Sequence, residues 1–338
     1  MGRLLRVQRG QDVVVTARVS ESDAAAFLAS YHGEPVRGLE WLRGGFWSVA
    51  YGYSVAGREL VARFGQLREG FEMDRAAMAF TNADLPVPDV VEVGDAFGGA
   101  FAVSVRRHGR FLEDIDTGDA ISAALPVDRL LRALRAVGSG LGAPSAWYPT
   151  DADPRSSTWH RWLRDGLVDD SARTVSGWRR KLAGRTEIDA LFEACVSRVH
   201  QLVEACPERR DLVHGDLLHQ NVMLSDDLAA VSAVFSWKCS VRGDFLFDIA
   251  WCTFWSPWHP GIGTIDPWSR TWAAADISPS DLADAALRHH CYELHIGCTH
   301  LGWNAWTGNA DELDAVAQHA AYILERGPLP TPQPQVGR

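Results

Sequence analysis

Residues 212–224 read LVHGDLLHQNVML, and they hold the side chains of this sequence that are best suited to chemistry. Within them, His214, Asp216 and Asn221 follow the order His-x-Asp-x-x-x-x-Asn. An aspartate at this position can accept the proton of an attacking hydroxyl, and the asparagine can ligate a metal ion, as phosphoryl transfer requires. The pattern therefore predicts phosphoryl transfer, with His214 and Asp216 as catalytic residues and Asn221 as a metal ligand.

A serine stands where such a site ordinarily has a second metal-binding carboxylate. Fifteen residues after Asn221 the chain reads AVFSW, residues 233–237, which puts Ser236 at that position. A hydroxyl is neutral and coordinates magnesium more weakly than a carboxylate, which supplies much of the charge that holds the ion. Ser236 is therefore a candidate metal ligand of reduced strength, and Asp244 is the nearest carboxylate in sequence that could supply the missing charge.

The elements that position these residues start on the N-terminal side with a small antiparallel sheet. Apolar and polar residues alternate there in strand-like segments that are separated by glycine-containing turns. The sequence predicts a helix at residues 20–31 and strands at 38–64, 90–93 and 99–105. A polar stretch, residues 106–110, then separates the sheet from the rest of the chain. We predict an N-lobe of residues 1–107.

Residues 43–48, RGGFWS, form the turn between the first two predicted strands, and we name them the Gly-rich turn. A glycine pair at this position lets backbone N–H groups approach phosphate oxygens closely. Gly44, Gly45 and Ser48 are therefore candidate nucleotide-binding residues.

Arg63 lies near the end of the third predicted strand, in the position of the lysine in the kinase pattern V-A-I-K. The only lysines of the chain are Lys181 and Lys238, so a nucleotide site in the N-terminal half must use arginine. An arginine fork can hold two phosphate oxygens. The helix predicted at residues 68–82 offers acidic partners for Arg63, and Asp74 is chosen from the candidates Glu69, Glu72 and Asp74.

Beyond the polar stretch the sequence is mainly helical. Apolar residues recur at helical spacing in residues 126–142, 159–168, 188–206, 280–303 and 311–325. We predict that residues 108–327 form a helical C-lobe that carries the catalytic loop and the acceptor pocket. Residues 328–338 are proline-rich with little apolar content, which predicts a disordered tail.

The overall composition predicts a globular protein without a nucleic-acid or membrane partner. The 338 residues are 46% hydrophobic and 22% charged, and no apolar run reaches the roughly 18 residues of a membrane helix. The net charge of −10 argues against nucleic acid and anionic membranes. The first residues lack the apolar stretch of a secretory signal, which favours a cytoplasmic location. A monomer and a dimer both remain open.

Five segments together resemble the aminoglycoside phosphotransferases, and among these the hygromycin B phosphotransferases most. They are LPVP at 85–88, VHGD with Asn221 in 213–221, AVFSW at 233–237, RGDFLFD at 242–248 and FWSPW at 254–258. The resemblance implies an α+β, bilobal, protein-kinase-like fold with an antiparallel-sheet N-lobe and a mainly helical C-lobe. It further implies transfer of the γ-phosphate of ATP or GTP, with Mg²⁺, to a hydroxyl of an antibiotic, and hence resistance.

The family pattern has an aspartate where this chain has Ser236, and several interpretations remain open. In the first, the enzyme works with a rebuilt metal site to which Asp244 adds charge. In the second, the protein is a pseudokinase that binds nucleotide and serves a sensing or scaffolding role. A different acceptor chemistry and an inactivated variant complete the alternatives. We expect Asp248 to be a structural carboxylate that holds the catalytic loop.

Aromatic residues and a carboxylate are the candidates for binding the acceptor. Antibiotic kinases use carboxylates for amines and aromatic faces for rings. Trp255, Trp258 and His259 flank Pro257, which predicts a loop near the catalytic residues, and Glu293 could line the opposite wall. A hygromycin-like aminoglycoside and a nucleoside antibiotic of the capuramycin type both remain candidate acceptors.

Overall fold

The structure, a computed structural model, describes residues 19–42, 45–137, 158–273 and 277–330. Within these residues the strands are β1 (Arg37–Leu42), β2 (Ser48–Val55), β3 (Arg58–Gly65), β4 (Val90–Ala96), β5 (Gly99–Val105), β6 (Arg110–Phe111), β7 (Asp211–Val213), β8 (Val222–Leu224), β9 (Val231–Val234) and β10 (Val241–Gly243). The α-helices are α1 (Glu21–His32), α2 (Arg68–Ala77), α3 (Ala120–Ala136), α4 (Trp159–Asp165), α5 (Trp178–Ala183), α6 (Thr186–Leu202), α7 (Leu246–Trp255), α8 (Pro260–Ile265), α9 (Pro267–Trp272), α10 (Pro279–Leu282), α11 (Ala285–Thr307) and α12 (Ala310–Arg326). Single 3-10 turns are formed by Met78–Phe80, Leu112–Asp114, Val203–Ala205 and Trp237–Cys239.

The described residues divide into two compact units. The sheet unit groups the described residues up to Glu113 with Leu218–Lys238, and the helical unit groups the described parts of Asp114–Leu217 and Cys239–Arg338. The boundary between the two units therefore falls within the catalytic loop, residues 214–221. Its His214 and Asp216 belong to the helical unit, and its Asn221 belongs to the sheet unit.

The main sheet of the sheet unit has the strand order β1-β2-β3-β5-β4, and neighbouring strands are antiparallel. This confirms the predicted antiparallel sheet. Arg63 on β3 pairs with Ala50 on β2 and with Ala102 on β5, so its backbone is held on both sides. A core of apolar residues, including Leu28, Tyr53, Phe64 and Val103, packs α1 against this sheet.

Helix α2 is shorter than the predicted helix at residues 68–82. It ends at Ala77 and is followed by the 3-10 turn Met78–Phe80. Thr81 then leaves the helical conformation, and the side chain of Asn82 accepts the backbone N–H groups of Asp84 and Leu85, each at 3.0 Å. Asn82 thus forms a turn, because an asparagine side chain competes with the helix for backbone hydrogen bonds.

The helical unit is built around α11, most of whose residues are buried. Helices α5, α6, α7 and α12 pack against it. The short strands β7 and β10 pair antiparallel, with Val213 opposite Val241, beside the start of the catalytic loop. Mainly helical structure in this part of the chain confirms the predicted fold class.

Two predicted helices of this unit were wrong in extent. Helix α3 begins at Ala120, so Pro126 lies inside it, and residues 138–142 of the predicted segment lie outside the described residues. The predicted helix at 280–303 is two helices, because Asp284 adopts a left-handed conformation with a φ of 52° between α10 and α11. Of the predicted tail, residues 331–338 are outside the described ones.

Across the described ranges, none of the helices combines the length and the apolar character that crossing a membrane requires.

Candidate active site

The N-terminal half of the catalytic loop is held by a buried carboxylate. Asp248 on α7 accepts the backbone N–H of His214 through Oδ2 and that of Gly215 through Oδ1, each at 2.8 Å. Burial raises the pKa of Asp248, and the adjacent His214 ring and the two amide donors act in the opposite direction. The predicted structural role of Asp248 is confirmed by these two hydrogen bonds.

Gly215 permits the tight turn that precedes Asp216. Its φ is +75°, a conformation that favours glycine, and a Cβ built on it would lie 2.8 Å from the carbonyl oxygen of Cys239. Any other residue would therefore strain the backbone and crowd this neighbour. The loop therefore requires glycine immediately before Asp216. The tight turn at this glycine sets the position of the Asp216 backbone.

His214 is a positioning residue, and the catalytic role predicted for it is wrong. The side chain is completely buried, and its Nδ1 accepts the backbone N–H of Asp216 at 3.2 Å. A buried ring that is engaged with the main chain cannot touch an acceptor hydroxyl. Asp216 itself is half-buried, so it is the residue of this half-loop that remains a candidate base.

The C-terminal half of the loop brings Asn221 to Ser236 in the sheet unit. Strand β8 starts directly after Asn221, and its Val222 pairs with Val234 near the end of β9. The backbone N–H of Phe235 donates to the carbonyl oxygen of Asn221 at 2.8 Å. The two predicted metal ligands therefore lie at the same end of one antiparallel strand pair.

Glu113 supports this half of the loop, and the sequence did not indicate it. His219 and Gln220 both have left-handed backbone conformations, with φ of 61° and 68°. Such conformations are costly for residues other than glycine and persist when neighbours hold them. The carboxylate of Glu113 accepts the backbone N–H of Gln220. The two residues are far apart in sequence, so no local spacing could have revealed the contact.

Arg63 and Asp74 form the predicted ion pair. The Arg63 guanidinium donates to Oδ2 of Asp74, whose side chain is almost completely buried. Glu72, the other candidate, instead faces the surface arginines Arg68 and Arg75. Asp74 also accepts the backbone N–H of Trp237 through Oδ1 at 2.7 Å. One carboxylate thus links the predicted phosphate clamp to the segment that carries Ser236.

The described part of the Gly-rich turn, residues 45–48, leads into β2. Gly44 lies outside the described residues, whereas Gly45 is exposed and a Cβ built on it would meet no atom within 4 Å. Ser48 pairs with Gly65 on β3, where a Cβ would lie 2.7 Å from the carbonyl oxygen of Trp47. Gly65 therefore permits the close approach of this turn to β3.

Lys238 lies against the same turn, and it was not among the predicted site residues. Its Nζ is 4.1 Å from the centroid of the Trp47 ring, a cation–π contact. The sequence held one signal, because Lys238 is one of only two lysines and follows Ser236 by two positions.

The metal ligand predicted at Asp244 is wrong. Asp244 is completely buried, and Arg288 donates to its two carboxylate oxygens from Nε and Nη2, each at 2.8 Å. The hydroxyl of Tyr292 donates to Oδ2 at 2.7 Å. A carboxylate whose oxygens are engaged by a buried guanidinium and a phenol is a structural group, and its oxygens are not available to a metal ion.

The remaining donors do not fit a magnesium ion that the protein holds by itself. Asn221 offers an amide oxygen and Ser236 a hydroxyl, and both are neutral. Asp74 and Asp248 are engaged with Arg63 and with backbone amides, respectively. Within the described part of the chain, no cluster of three or more His, Cys, Asp or Glu could bind a metal. Magnesium ordinarily uses one or two carboxylates together with phosphate oxygens.

Two of the predicted acceptor-binding residues belong to the core. Trp255 is 2% exposed and packs on Phe254 and Trp258 with ring centroids 5.1 Å away in each case. Glu293 is 2% exposed and accepts a hydrogen bond from Nη2 of Arg326 at 2.5 Å. Neither prediction holds, because helix α7 continues through Trp255 and because the buried Glu293 carboxylate is paired with Arg326.

Trp258 and His259 lie in the connection between α7 and α8, and both are half-buried. Trp258 stacks on Phe254 with an interplanar angle of 20° and a centroid distance of 6.2 Å. The ring is thus held by the core on one side. These two residues remain candidates for binding an acceptor.

Comparison with known proteins gives matches to a family and to a curated relative. Residues 53–290, more than two thirds of the chain, match the model of a family described as the phosphotransferase enzyme family. A curated relative, hygromycin-B 4-O-kinase from Escherichia coli, is 25% identical over 307 residues, which are 90% of this chain and 86% of the relative.

Two solved structures share the fold. A thermostable mutant of the aminoglycoside phosphotransferase APH(4)-Ia, in ternary complex with ADP and hygromycin B, matches with a TM-score of 0.75 and 23% identity over 90% of this chain and 98% of its own. The spectinomycin phosphotransferase APH(9)-Ia, in complex with ADP and spectinomycin, matches with a TM-score of 0.56 and 10% identity over 90% and 96%.

Proposed function

Because the chain belongs to the phosphotransferase enzyme family, we propose that it transfers the γ-phosphate of ATP to a hydroxyl of an aminoglycoside antibiotic and so confers resistance. The observation that carries the proposal is the arrangement of Asp248 and Gly215, which holds the two residues directly before Asp216. The curated hygromycin-B 4-O-kinase supports the choice of a hygromycin-like acceptor.

In the proposed reaction the acceptor oxygen attacks the γ-phosphorus while the bond from that phosphorus to the β,γ-bridging oxygen breaks. ADP leaves, and the acceptor proton passes to the carboxylate of Asp216. Little covalent chemistry is left to the protein, so positioning and charge stabilisation dominate. Asp248 and His214 act by holding the loop that carries Asp216.

The sheet unit supplies the proposed nucleotide-binding groups. Arg63, fixed by Asp74, holds phosphate oxygens, and Gly45 and Ser48 offer backbone N–H groups. In domain terms we propose residues 1–107 as the nucleotide-binding lobe and 108–327 as the acceptor lobe. ATP is the proposed donor, GTP is the alternative, and the cytoplasm, where both are abundant, remains the proposed location.

A magnesium ion, when bound with the nucleotide, would neutralise charge on the β- and γ-phosphates. The side chains that would touch it are Asn221 and Ser236, whose neutral oxygens require the phosphates to supply the remaining ligands. The protein's own contribution to holding phosphate charge therefore falls on its cationic side chains.

On the acceptor side, Trp258 and His259 are the proposed contacts. The part of the half-buried Trp258 ring that stays exposed suits the apolar face of a sugar ring, and His259 supplies a polar group beside it. A nucleoside antibiotic of the capuramycin type would use the same aromatic face for its base.

The test is transfer of radiolabelled γ-phosphate from ATP, and separately from GTP, to a panel that contains hygromycin B, other aminoglycosides and a capuramycin-type nucleoside. We expect a labelled aminoglycoside with the parent protein. Asp216→Asn should lower the transfer rate by about 10²–10⁴-fold while nucleotide binding persists. A variant that transfers at the parental rate would remove Asp216 from the mechanism.

A second candidate function is a pseudokinase that binds nucleotide without turnover. The engagement of Asp244 by Arg288 favours it, because the carboxylate that was predicted to compensate for Ser236 is then held elsewhere. The same assay separates the two functions. Nucleotide binding without transfer to any acceptor supports the pseudokinase, whereas one labelled product excludes it.

A further inference from the structure

Lys238 occupies a defined position in the sheet unit. It lies on the 3-10 turn Trp237–Cys239, two residues after Ser236, and its Nζ sits over the Trp47 ring at 4.1 Å from the centroid. Its stem passes the start of α2, since a Cβ built on Gly70 would lie 3.7 Å from the Lys238 Cβ. The ammonium group is therefore directed to the residues that join the Gly-rich turn to β2.

The position of Lys238 is coupled to that of Arg63 through one side chain. Asp74 accepts the guanidinium of Arg63 on one oxygen and the backbone N–H of Trp237 on the other. The Lys238 backbone follows Trp237 directly, so the same carboxylate sets the location of both cations. Arg63 and Asp74 are neutral as a pair, and Lys238 adds a positive charge to this group.

Along the chain, the side chains within two positions of residue 236 include a cation and no carboxylate that could recruit a metal. Ser236 and Asn221 are neutral, and the charged side chain nearest to Ser236 along the chain is the ammonium of Lys238. A compact ammonium is a point charge with three donors, and it binds phosphate oxygens well. The Lys238 Nζ is buried against this ring, and a cation–π contact is weaker than a charge-assisted hydrogen bond to phosphate, so a polyphosphate can replace it.

We propose that Lys238 is a phosphate-binding residue of the nucleotide site. Its ammonium group supplies the positive charge that a metal ion, held by a carboxylate at position 236, would otherwise bring to the phosphates. Lys238 leaves the Trp47 ring and donates to a phosphate oxygen when nucleotide binds. Nucleotide affinity then depends only weakly on magnesium. The inference rests on the proposed nucleotide site, and it extends that site by a residue that the sequence pattern does not include.

The experiment measures binding by calorimetry of the full chain with ATP and with adenosine, each in EDTA and in magnesium. We expect the parent protein to bind ATP in EDTA with an affinity within about tenfold of that in magnesium. Lys238→Met should weaken ATP binding in EDTA by about 10–100-fold, as the loss of a charged hydrogen bond predicts, and should leave adenosine binding unchanged. Lys238→Arg should retain most of the ATP affinity.

The matched control is Lys181→Met, which removes the other lysine. Lys181 donates to the carbonyl oxygen of Trp306 at 2.7 Å in the helical unit, so its loss should leave ATP binding unchanged. Trp47→Leu tests whether Lys238 acts only by holding the Gly-rich turn. If it does, Trp47→Leu reproduces the effect of Lys238→Met, and the phosphate-binding role is overturned.

The remaining outcomes are also decisive. If Lys238→Met lost equal affinity for ATP and for adenosine, the role of Lys238 would be structural and the proposal would be overturned. A parent protein that binds ATP only with magnesium would overturn it too, while leaving the proposed phosphotransfer intact. No binding of ATP under either condition would end both the inference and the proposed function.

Discussion

The carboxylate of Asp74 joins the side chain of Arg63 to the backbone of Trp237. Oδ2 accepts from the Arg63 guanidinium, and Oδ1 accepts the Trp237 N–H at 2.7 Å. A strand of the main sheet and the segment after β9 are thereby held to one residue of α2. The proposed phosphate clamp and the Ser236 segment cannot shift independently while this carboxylate is in place.

Two replacements of Asp74 should separate its contact with Arg63 from its contact with the Trp237 backbone. Asp74→Asn keeps an oxygen for the Trp237 N–H but loses the ion pair, whereas Asp74→Ala loses both. We expect kcat/KM for ATP to fall by about 10²-fold in Asp74→Ala and by less in Asp74→Asn, because a positioning error of this kind is costly. Steady-state kinetics at varied ATP checks this. Glu72→Gln is the control, since its partners are surface arginines, and an equal loss there would contradict the assignment.

Replacing Asp248 should slow catalysis as well as destabilise the fold. In Asp248→Asn one of the two loop amides faces an NH₂ group instead of an oxygen, so a buried donor loses its partner. We expect a loss of about 1–3 kcal/mol in the free energy of unfolding and a lower kcat with little change in KM. Urea unfolding and steady-state kinetics measure the two effects. An unchanged kcat would show that the loop holds its position without Asp248.

The ion pair of Asp244 and Arg288 should contribute to the stability of the fold and not to the magnesium dependence of transfer. Arg288→Met leaves the Asp244 carboxylate buried without its cation, at a cost of about 3–5 kcal/mol. Adding Asp244→Asn should restore part of that loss, because the uncompensated charge is then gone. The double variant should keep the parental magnesium dependence of transfer. A changed magnesium dependence would reinstate Asp244 as a contributor to the metal site.

Mild acid should destabilise the protein through buried histidines. Burial lowers the pKa of His290 to about 4 and that of His295 to about 3. Around His290, the Glu293 carboxylate opposes this shift, whereas Arg326, Arg198 and His289 add to it. The unfolded chain binds these protons near pH 6.5, so stability is complete above that pH and is lost as the pH falls towards 4. His290 alone should contribute about 3 kcal/mol.

The measurement is the free energy of unfolding in urea between pH 7.5 and 4.5, for the parent and for His290→Leu. The free energy of unfolding of the variant should fall less steeply as the pH decreases, because one of the protonations that favour the unfolded chain is absent. Exposed His108, which pairs with Glu59 at the surface, provides the control His108→Gln. Identical slopes for the parent and His290→Leu would contradict the role of His290.

Local pattern was sufficient to predict the sheet, an acidic partner for Arg63 on the helix that follows it, and the structural role of Asp248. Strand alternation and turn glycines act over a few residues, so they are legible without the fold. The catalytic-loop and strand-end motifs have fixed spacings, and a fixed spacing carries its geometry with it. The sequence left little to separate Asp74 from Glu72, and the structure decided for Asp74.

Tertiary structure alone decided what the charged and aromatic side chains of the candidate site contact. Asp244 meets Arg288, Glu293 meets Arg326, and Glu113 holds Gln220, each across a long stretch of sequence. A carboxylate in a sequence looks the same whether it is free for a metal or buried against a guanidinium, because its partner is set by packing and not by spacing. The contact of Lys238 with Trp47 also joins residues that are far apart in sequence, so only the folded structure shows it.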